Sequence, residues 1–147
     1  MRRILLLQGA NMNALGVRDP HLYGTTTAAE LDEMLRKYAV SRDLGIDIRY
    51  TNDEGQFIDW VYAAEGEGFE AIVTNTGSFC YNSYAIRDAF STVKLPVIEV
   101  HMSNQLARDI HSVTGAGANG MVMGMGHASY FTGLDAAIHM LTKRDRP

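Results

Sequence analysis

The chain of 147 residues is poor in the residue types that stabilise small secreted proteins or bind polyanions. Its one cysteine, Cys80, excludes an internal disulfide framework and fits a reducing cytoplasmic compartment. A lone cysteine is either a nucleophile or, more commonly, a small buried hydrophobic residue. With 13 basic and 17 acidic residues the formal net charge is −4, which argues against a general nucleic-acid or anionic-membrane binder.

Long apolar runs are also missing. The first one, residues 4–7, is too short for a signal peptide or a membrane span. No linker, repeat or low-complexity segment interrupts the chain, and 46% of its residues are hydrophobic. We therefore expect a single cytoplasmic domain over residues 1–147, with no membrane or nucleic-acid partner.

The chain alternates between short apolar segments and amphipathic ones. The apolar segments predict strands at residues 4–7, 46–50, 70–75, 95–101 and 120–124. The first helix is expected to start at the capping box of Thr27 and Glu30 and to end at Gly45, and the second to follow Asp53. Further helices are expected at residues 81–91 and 130–143, with one or two helical turns within residues 104–111.

Strands that alternate with helices over the whole length predict an α/β fold with a parallel sheet covered on both faces. Five strands in this length fit a flavodoxin-like three-layer sandwich with strand order 2-1-3-4-5. Ligands of such sheets bind beyond the carboxyl ends of the strands, where the strand order reverses. Polar loops follow the first, third and fourth strands at Gly9, Asn75 and His101, and we expect them to form one crevice.

Two common kinds of site are not indicated. The loop GANMNALG has neither the GxxxxGK[ST] nor the GxGxxG spacing of phosphate-binding turns. The five histidines, at 21, 101, 111, 127 and 139, show no HExxH pattern and no Cys/His spacing typical of metal sites. Neither nucleotide binding nor metal catalysis is therefore predicted.

General acid–base chemistry without a cofactor fits the polar residues better. His101 ends a strand that is apolar except for Glu99, two residues earlier and so on the same face. A carboxylate beside an imidazole orients the ring and favours its proton-donating form. Arg18 could likewise stabilise the phenolate of Tyr23, in the same loop, as a base. The alternative is that all four are ordinary structural residues. Neutral hydrogen-bonding groups suited to substrate oxygens are Asn11, Asn13, Asn75 and Ser103.

Five segments, taken together and in order, resemble the type II 3-dehydroquinate dehydratases, or type II dehydroquinases. They are GANMNALGVRDPHLYGTTT, DEGQFIDWVYAA, VTNTGSFCYNSYAIRDAF, PVIEVHMSNQLAR and GMVMGMG, and they cover most of the chain. The resemblance implies a flavodoxin-like domain assembled as a homo-dodecamer of four trimers. It also implies reversible dehydration of the small molecule 3-dehydroquinate to 3-dehydroshikimate through an enolate, with no cofactor, metal or imine.

The resemblance assigns roles to individual residues. Tyr23 removes the proton next to the ketone, Arg18 keeps its phenolate accessible, and Asn11 stabilises the enolate through a water. His101, oriented by Glu99, protonates the departing hydroxyl. The loop from residue 18 to residue 23 is expected to be a lid. The predicted substrate-binding residues are Asn75, Gly77, Tyr81, Met102, Ser103 and Arg108, together with Asp88 reaching a neighbouring subunit's site.

The chain departs from the family pattern in several places. Ala10 and Thr76 replace family prolines, and Tyr81 stands where the family places a histidine that binds substrate hydroxyls. The segment after Arg108 is shorter and lacks the expected arginine, for which it offers His111 or Arg108 itself. A dehydratase of a different β-hydroxy ketone is therefore the alternative function. A non-catalytic binding module, or a flavin-binding protein, is a third reading.

Overall fold

The sheet determines where the functional residues lie. The structure is a computed structural model that describes residues 1–145. Five parallel strands have the predicted order β2-β1-β3-β4-β5. The strands are β1 (Arg2–Ala10), β2 (Leu44–Tyr50), β3 (Ala71–Gly77), β4 (Val97–His101) and β5 (Gly120–Met123). The predicted flavodoxin-like α/β fold is thus confirmed, whereas the single domain over residues 1–147 stays a prediction.

The helices connect these strands and cover both faces of the sheet. They are α1 (Pro20–Tyr23), α2 (Ala28–Ser41), α3 (Glu54–Ala63), α4 (Tyr84–Thr92) and α5 (Ala128–Arg144). Four short 3-10 helices lie at Met12–Ala14, Ser78–Tyr81, Leu106–Arg108 and Thr114–Gly117. Among the described residues, no helix is long and apolar enough to cross a membrane.

Alternate residues of β1 belong to two hydrophobic layers. Ile4 and Leu6 pack with α2 and α5, while Leu5 and Leu7 pack with α3 and α4. All four side chains are fully buried, and each contributes about 1.5–3 kcal/mol by leaving water. Burial on both faces explains why this strand reads as a continuous apolar run instead of alternating with polar residues.

Several predicted boundaries differ from the structure. The capping box is present, since the Thr27 side chain accepts a hydrogen bond from the Glu30 amide. The expectation that Gly45 ends the helix is wrong: α2 ends at Ser41, Asp43 makes the turn with φ of 53°, and Gly45 pairs within the sheet.

The remaining points concern helices. The helix predicted for residues 81–91 starts later, at Tyr84, because the Ser83 side chain caps it at the Ile86 amide. The one or two helical turns expected within residues 104–111 are confirmed as a single 3-10 turn, whereas the short helix α1 was not predicted.

Gly77 brings the ends of β1 and β3 close together at the site. Its φ of 56° lies in the left-handed region that L side chains rarely adopt, and a Cβ there would collide with the carbonyl oxygen of Ala10. The two strands stay paired to this point, at Ala10 and Gly77. The tight approach is therefore a property of the backbone that a larger residue at position 77 would disturb.

Candidate active site

A pocket of about 510 Å³ lies at the carboxyl edge of the sheet, where the loops after β1, β3 and β4 meet. This is the crevice expected at the reversal of strand order. Ten of the twelve predicted site residues line it: Asn11, Arg18, Tyr23, Asn75, Gly77, Tyr81, His101, Met102, Ser103 and Arg108. The other two, Glu99 and Asp88, lie elsewhere and are described below.

Tyr23 ends the short helix α1 and lies close to two arginines. The guanidinium carbons of Arg18 and Arg108 are each 5.7 Å from the centroid of its ring. Arg108 donates hydrogen bonds of 3.0 Å to the phenolic oxygen and 2.8 Å to the hydroxyl of Ser103. The bond to Tyr23 raises the pKa of Arg108 above its ordinary value, so this guanidinium is charged at every relevant pH. A charged donor therefore lies directly against the phenolic oxygen of Tyr23.

Arg18 makes its hydrogen bond on the other side, to Ser78 at the start of the 3-10 helix after β3. The Ser78 hydroxyl accepts from Arg18 at 3.5 Å and from the Asn11 side-chain amide at 2.9 Å. The backbone amide of Asn11 donates to the side chain of Asn52 at 2.8 Å, which holds residue 11 in a left-handed conformation with φ of 69°. Asn11 is thus fixed at the mouth of the pocket by its main chain and its side chain.

His101, at the end of β4, is 5% exposed, and both of its ring nitrogens have partners. Nε2 lies 2.9 Å from a carboxylate oxygen of Glu99, and Nδ1 lies 3.2 Å from the side-chain nitrogen of Gln105. Glu99 is fully buried behind the histidine and does not line the pocket. The predicted pairing of these two residues on one face of the strand is therefore present, with the carboxylate on the side away from the crevice.

The Glu99 carboxylate is surrounded by hydroxyl donors. Ser112 and Thr114 each donate a hydrogen bond of 2.5 Å, one to each oxygen, and Thr76 donates to one of them at 3.2 Å. Bonds this short are typical of hydroxyls that donate to an ionised carboxylate. The ion is stabilised in the interior by these donors and by the histidine, since a buried charge without partners is strongly unfavourable.

Asn75, on β3, is held by a buried chain of polar side chains. Its amide nitrogen donates to the Tyr130 hydroxyl at 3.0 Å, and that hydroxyl donates to Gln8 at 2.8 Å. Its oxygen accepts from the Gly77 amide at 2.9 Å. Burial raises the pKa of Tyr130, which keeps the phenol neutral. One of the two N–H groups of Asn75 remains available for a ligand.

Two less polar residues also line the pocket. They are Tyr81, which is 49% exposed, and Ile110. Of the two residues considered in place of the missing arginine, Arg108 lines the pocket and bonds to Tyr23, whereas His111 is exposed and does not line it. The shortened segment instead provides the Ser112 and Thr114 hydroxyls that hold Glu99.

Asp88 lies outside this pocket. It is exposed on α4, and its carboxylate pairs with the neighbouring Arg87 at 3.1 Å. No partner chain is present, so its predicted contact with a neighbouring subunit's site stays a prediction.

Cys80 lines the pocket but is 2% exposed. Burial raises the pKa of its thiol to about 11, against a smaller opposing effect of the Gln105 hydrogen bond. A thiol that keeps its proton is a poor nucleophile at neutral pH. The structure therefore favours the reading of Cys80 as a small buried residue.

Several residues that hold the site were not predicted, namely Ser78, Thr76, Gln105, Ser112, Thr114 and Tyr130. The sequence contains a signal for two of them, Ser112 and Thr114. A glutamate on an otherwise apolar strand needs donors, and the Ser–Val–Thr segment at residues 112–114 offers two hydroxyls in a polar stretch near the same sheet edge. The role of Tyr130 had no comparable signal, because it depends on how α5 packs against the sheet.

Comparisons with known proteins identify the family. The family model "Dehydroquinase class II" matches residues 2–138. The 3-dehydroquinate dehydratase of Thermus thermophilus is 45% identical over 130 residues, covering 86% of this chain and 87% of that protein. The corresponding protein of Syntrophotalea carbinolica is 40% identical over 144 residues, covering 96% and 97%.

A solved structure agrees with the sequence comparisons. The crystal structure of the type II dehydroquinase from Butyrivibrio crossotus superimposes with a TM-score of 0.87 at 35% identity, covering 93% of this chain and 97% of that one. The family match spans nearly the whole chain and includes all twelve predicted site residues. The chain therefore belongs to the class II dehydroquinase family.

Proposed function

We propose that this dehydroquinase is a cofactor-independent hydro-lyase that converts 3-dehydroquinate to 3-dehydroshikimate through an enolate. The observation that carries the proposal is the juxtaposition in one pocket of a phenol held by two arginines and an imidazole backed by a buried carboxylate. Elimination of water from a β-hydroxy ketone needs such a pair, a base for the proton next to the ketone and an acid for the hydroxyl.

The first step is proton removal by Tyr23. Its phenolate, stabilised by the Arg108 guanidinium, takes the proton next to the ketone, and the electron pair of that C–H bond forms the enolate. The Asn11 side chain, held at Ser78, faces the developing negative charge on the enolate oxygen through a bridging water. Arg18 adds positive charge on the same side of the pocket.

The second step expels the hydroxyl. The enolate collapses to the conjugated ketone, the C–O bond breaks, and His101 gives a proton to the departing oxygen so that water leaves. The Glu99 carboxylate stabilises the protonated ring before transfer and fixes its orientation. Proton transfer from Tyr23 to His101 through solvent then restores the starting states.

The substrate carboxylate is assigned to the part of the pocket lined by Asn75, Met102 and Ser103. The available N–H of Asn75, the main chain at Met102 and the hydroxyl of Ser103 provide neutral donors there, with Gly77 allowing close approach. Arg108 bonds to Ser103 and to Tyr23 at once, so it connects the carboxylate end to the base.

The alternative functions receive less support. Tyr81 and Ile110 make one wall less polar, which is the feature that motivates a different β-hydroxy ketone as substrate. The curated relatives are 3-dehydroquinate dehydratases, however, and the comparisons give no support to another substrate. Retention of the base, its arginines and the histidine–glutamate pair in one pocket argues against a non-catalytic module or a flavin-binding role.

We infer a cytoplasmic location and a homo-dodecamer built from trimers from the family resemblance alone. In that assembly Asp88, exposed on α4, reaches the pocket of an adjacent subunit. Light scattering of the purified protein tests the size of the assembly, and Asp88→Asn tests the contact through the KM for substrate.

The function is tested by following enone absorbance after 3-dehydroquinate is added to the protein. We expect turnover that Tyr23→Phe reduces by about 10²–10⁴-fold. Tyr62→Phe is the matched control, because Tyr62 is 52% exposed on α3. Absence of signal at high enzyme concentration would overturn the proposed substrate, and a wild-type rate for Tyr23→Phe would overturn the assigned base.

A further inference from the structure

Gln105 is a buried polar residue to which the reaction above assigns no role. It is 4% exposed, lines the pocket, and lies four residues after His101. Its carbonyl oxygen accepts hydrogen bonds from the amides of Arg108 and Ile110, which fix its backbone. Its side-chain nitrogen lies 3.2 Å from Nδ1 of His101 and 3.4 Å from the sulfur of Cys80.

The side-chain oxygen of Gln105 is buried and has no hydrogen-bond partner within the described residues. An unpaired buried acceptor is unfavourable by about 1–3 kcal/mol, and native proteins usually avoid it. In an amide, rotation by a half turn exchanges this oxygen with the nitrogen that now faces the imidazole. The unpaired atom is therefore the one that would face Nδ1 after that rotation.

The tautomer of His101 follows from its other nitrogen. Glu99 accepts short hydrogen bonds from Ser112 and Thr114 at its two oxygens, as an ionised carboxylate does, so Nε2 is assigned as the donor to it. In the neutral ring Nδ1 is then a bare acceptor, and it accepts an N–H from Gln105 as the structure shows. Because Nε2 is hydrogen-bonded to Glu99, we assign Nδ1 as the nitrogen that exchanges a proton with the substrate.

Protonation of His101 reverses the requirement at Nδ1. An Nδ1–H placed against the N–H of Gln105 would bring two donors together, whereas the rotated amide presents an acceptor. The Cys80 sulfur can follow this change, because a thiol is a weak acceptor and a weak donor. The Cys80 thiol keeps its hydrogen at neutral pH, since burial raises its pKa to about 11.

We propose that Gln105 is a positioning residue whose amide rotates with the protonation state of His101, donating to the neutral ring and accepting from the protonated ring. This deepens the proposed function, on which it rests for the role of His101 as the acid. Gln105 thereby holds the imidazole in place through both halves of the reaction and stabilises the proton at Nδ1 until the leaving hydroxyl takes it.

Several other ionisable groups lie around His101. They are Glu99 on its own strand, Cys80 and Tyr81 after β3, Arg108 after β4, and Arg18 and Tyr23 after β1. Of these, only Glu99 is hydrogen-bonded to the ring within the described part of the chain. A change at position 105 therefore acts on the one ring nitrogen that Glu99 does not hold.

Nuclear magnetic resonance of the wild-type enzyme gives a test that needs no substrate. The chain has five histidines and three glutamines, so selective ¹⁵N labelling of both residue types gives few side-chain signals. Over a pH series we expect the Gln105 amide signals to move together with the ¹⁵N signals of the His101 ring. Gln105 signals that stay constant while His101 titrates would overturn the proposal.

Kinetics of Gln105→Glu provide the second test. A carboxylate that accepts from Nδ1 at all pH values favours the protonated ring, so the basic limb of the pH–rate profile is expected to move up by about one pH unit. Gln105→Met, of similar size but without charge, should lower kcat by about tenfold without that shift. Gln56→Glu adds the same charge at an exposed position of α3 and should leave the profile unchanged.

The outcomes separate this inference from the proposed function. If the basic limbs of the pH–rate profiles of Gln105→Glu and the wild type coincide, the proposed role of Gln105 at the His101 ring is overturned. Failure of the wild type to dehydrate 3-dehydroquinate would overturn the proposed substrate, while the nuclear magnetic resonance titration would still test the rotation of the amide.

Discussion

Arg108 donates a 3.0 Å hydrogen bond to the phenolic oxygen of Tyr23, although 85 positions separate the two residues in the chain. Arg18, in the same loop as Tyr23, makes its hydrogen bond to Ser78 instead and approaches only the face of the tyrosine ring. The sequence had suggested Arg18 as the cation that activates the base. In the structure, the guanidinium at the oxygen that must lose its proton belongs to Arg108.

The first prediction concerns these two arginines. Arg108→Met removes the charged donor that bonds to the Tyr23 oxygen, so the base loses its electrostatic support. We expect kcat/KM to fall by about 10²-fold, and by less for Arg18→Met, which does not bond to that oxygen. Steady-state kinetics give this measurement.

Two further variants control this experiment. Arg108→Lys keeps the charge and should restore most of kcat, even if KM rises because the contact with Ser103 changes. Arg36→Met removes a guanidinium from an exposed position of α2 and should have no effect. Equal losses for the Arg108→Met and Arg18→Met variants would contradict the different roles of these two arginines.

The second prediction concerns the hydroxyls around Glu99. Thr114→Val keeps the shape of the side chain but removes a donor from a fully buried carboxylate. Hydrogen bonds to charged groups are worth about 1.5–3 kcal/mol, so the free energy of unfolding should fall by about that amount. Urea denaturation measures it. Thr114→Ser retains the hydroxyl and should lose less stability; an equal loss in both variants would contradict the assignment of the loss to this hydrogen bond.

Much of the fold could be predicted because it depends on local patterns. The apolar run of β1, the capping residue Thr27 and the alternation of strands and helices together specify a parallel sheet with helices on both faces. The sheet rule then places Asn75 and His101 at one edge. For this reason ten predicted site residues line a single pocket.

The contacts inside the site could not be predicted in the same way. Arg108 and Thr114 lie in short 3-10 helices between β4 and β5, and no periodic pattern in the sequence specifies the path of this connection or the direction of its side chains. The hydrogen bonds of these residues to Tyr23 and Glu99 join parts of the chain that only the folded structure brings together. The left-handed turn at Asp43 was missed for a related reason, since Gly45 nearby is the more usual residue for a helix end.

The third prediction concerns the reactivity of the Cys80 thiol. Burial raises the pKa of its thiol from 9.0 to about 11 in the folded protein. At pH values below both figures, the thiolate fraction is therefore about 100-fold lower than in the unfolded chain. We expect iodoacetamide to modify the folded protein about 100-fold more slowly than the urea-unfolded protein at the same pH. Similar rates in the two states would contradict the burial of this thiol.

The same shift has a consequence for stability. The folded state holds its proton more tightly, so this contribution is fully present below pH 9.0 and is lost as the pH rises through about 11. Chemical denaturation at increasing pH should show the decrease in the free energy of unfolding over that window. Cys80→Ala should show a smaller decrease; the remainder is expected because burial also raises the pKa of Tyr130.

The last prediction concerns the buried chain that holds Asn75. Tyr130→Phe removes a hydroxyl that accepts from the Asn75 side-chain nitrogen and donates to the Gln8 side-chain oxygen, and both atoms lose this partner. The loss of stability should be about 1–3 kcal/mol for each unpaired atom that water cannot reach. Because the Gly77 amide is then the remaining bond that holds the Asn75 side chain, KM should rise while both limbs of the pH–rate profile stay in place. The exposed Tyr62→Phe variant should change stability by less than about 0.5 kcal/mol. A shift of either limb in Tyr130→Phe would mean that Tyr130 acts on the base or the acid, not on substrate binding through Asn75.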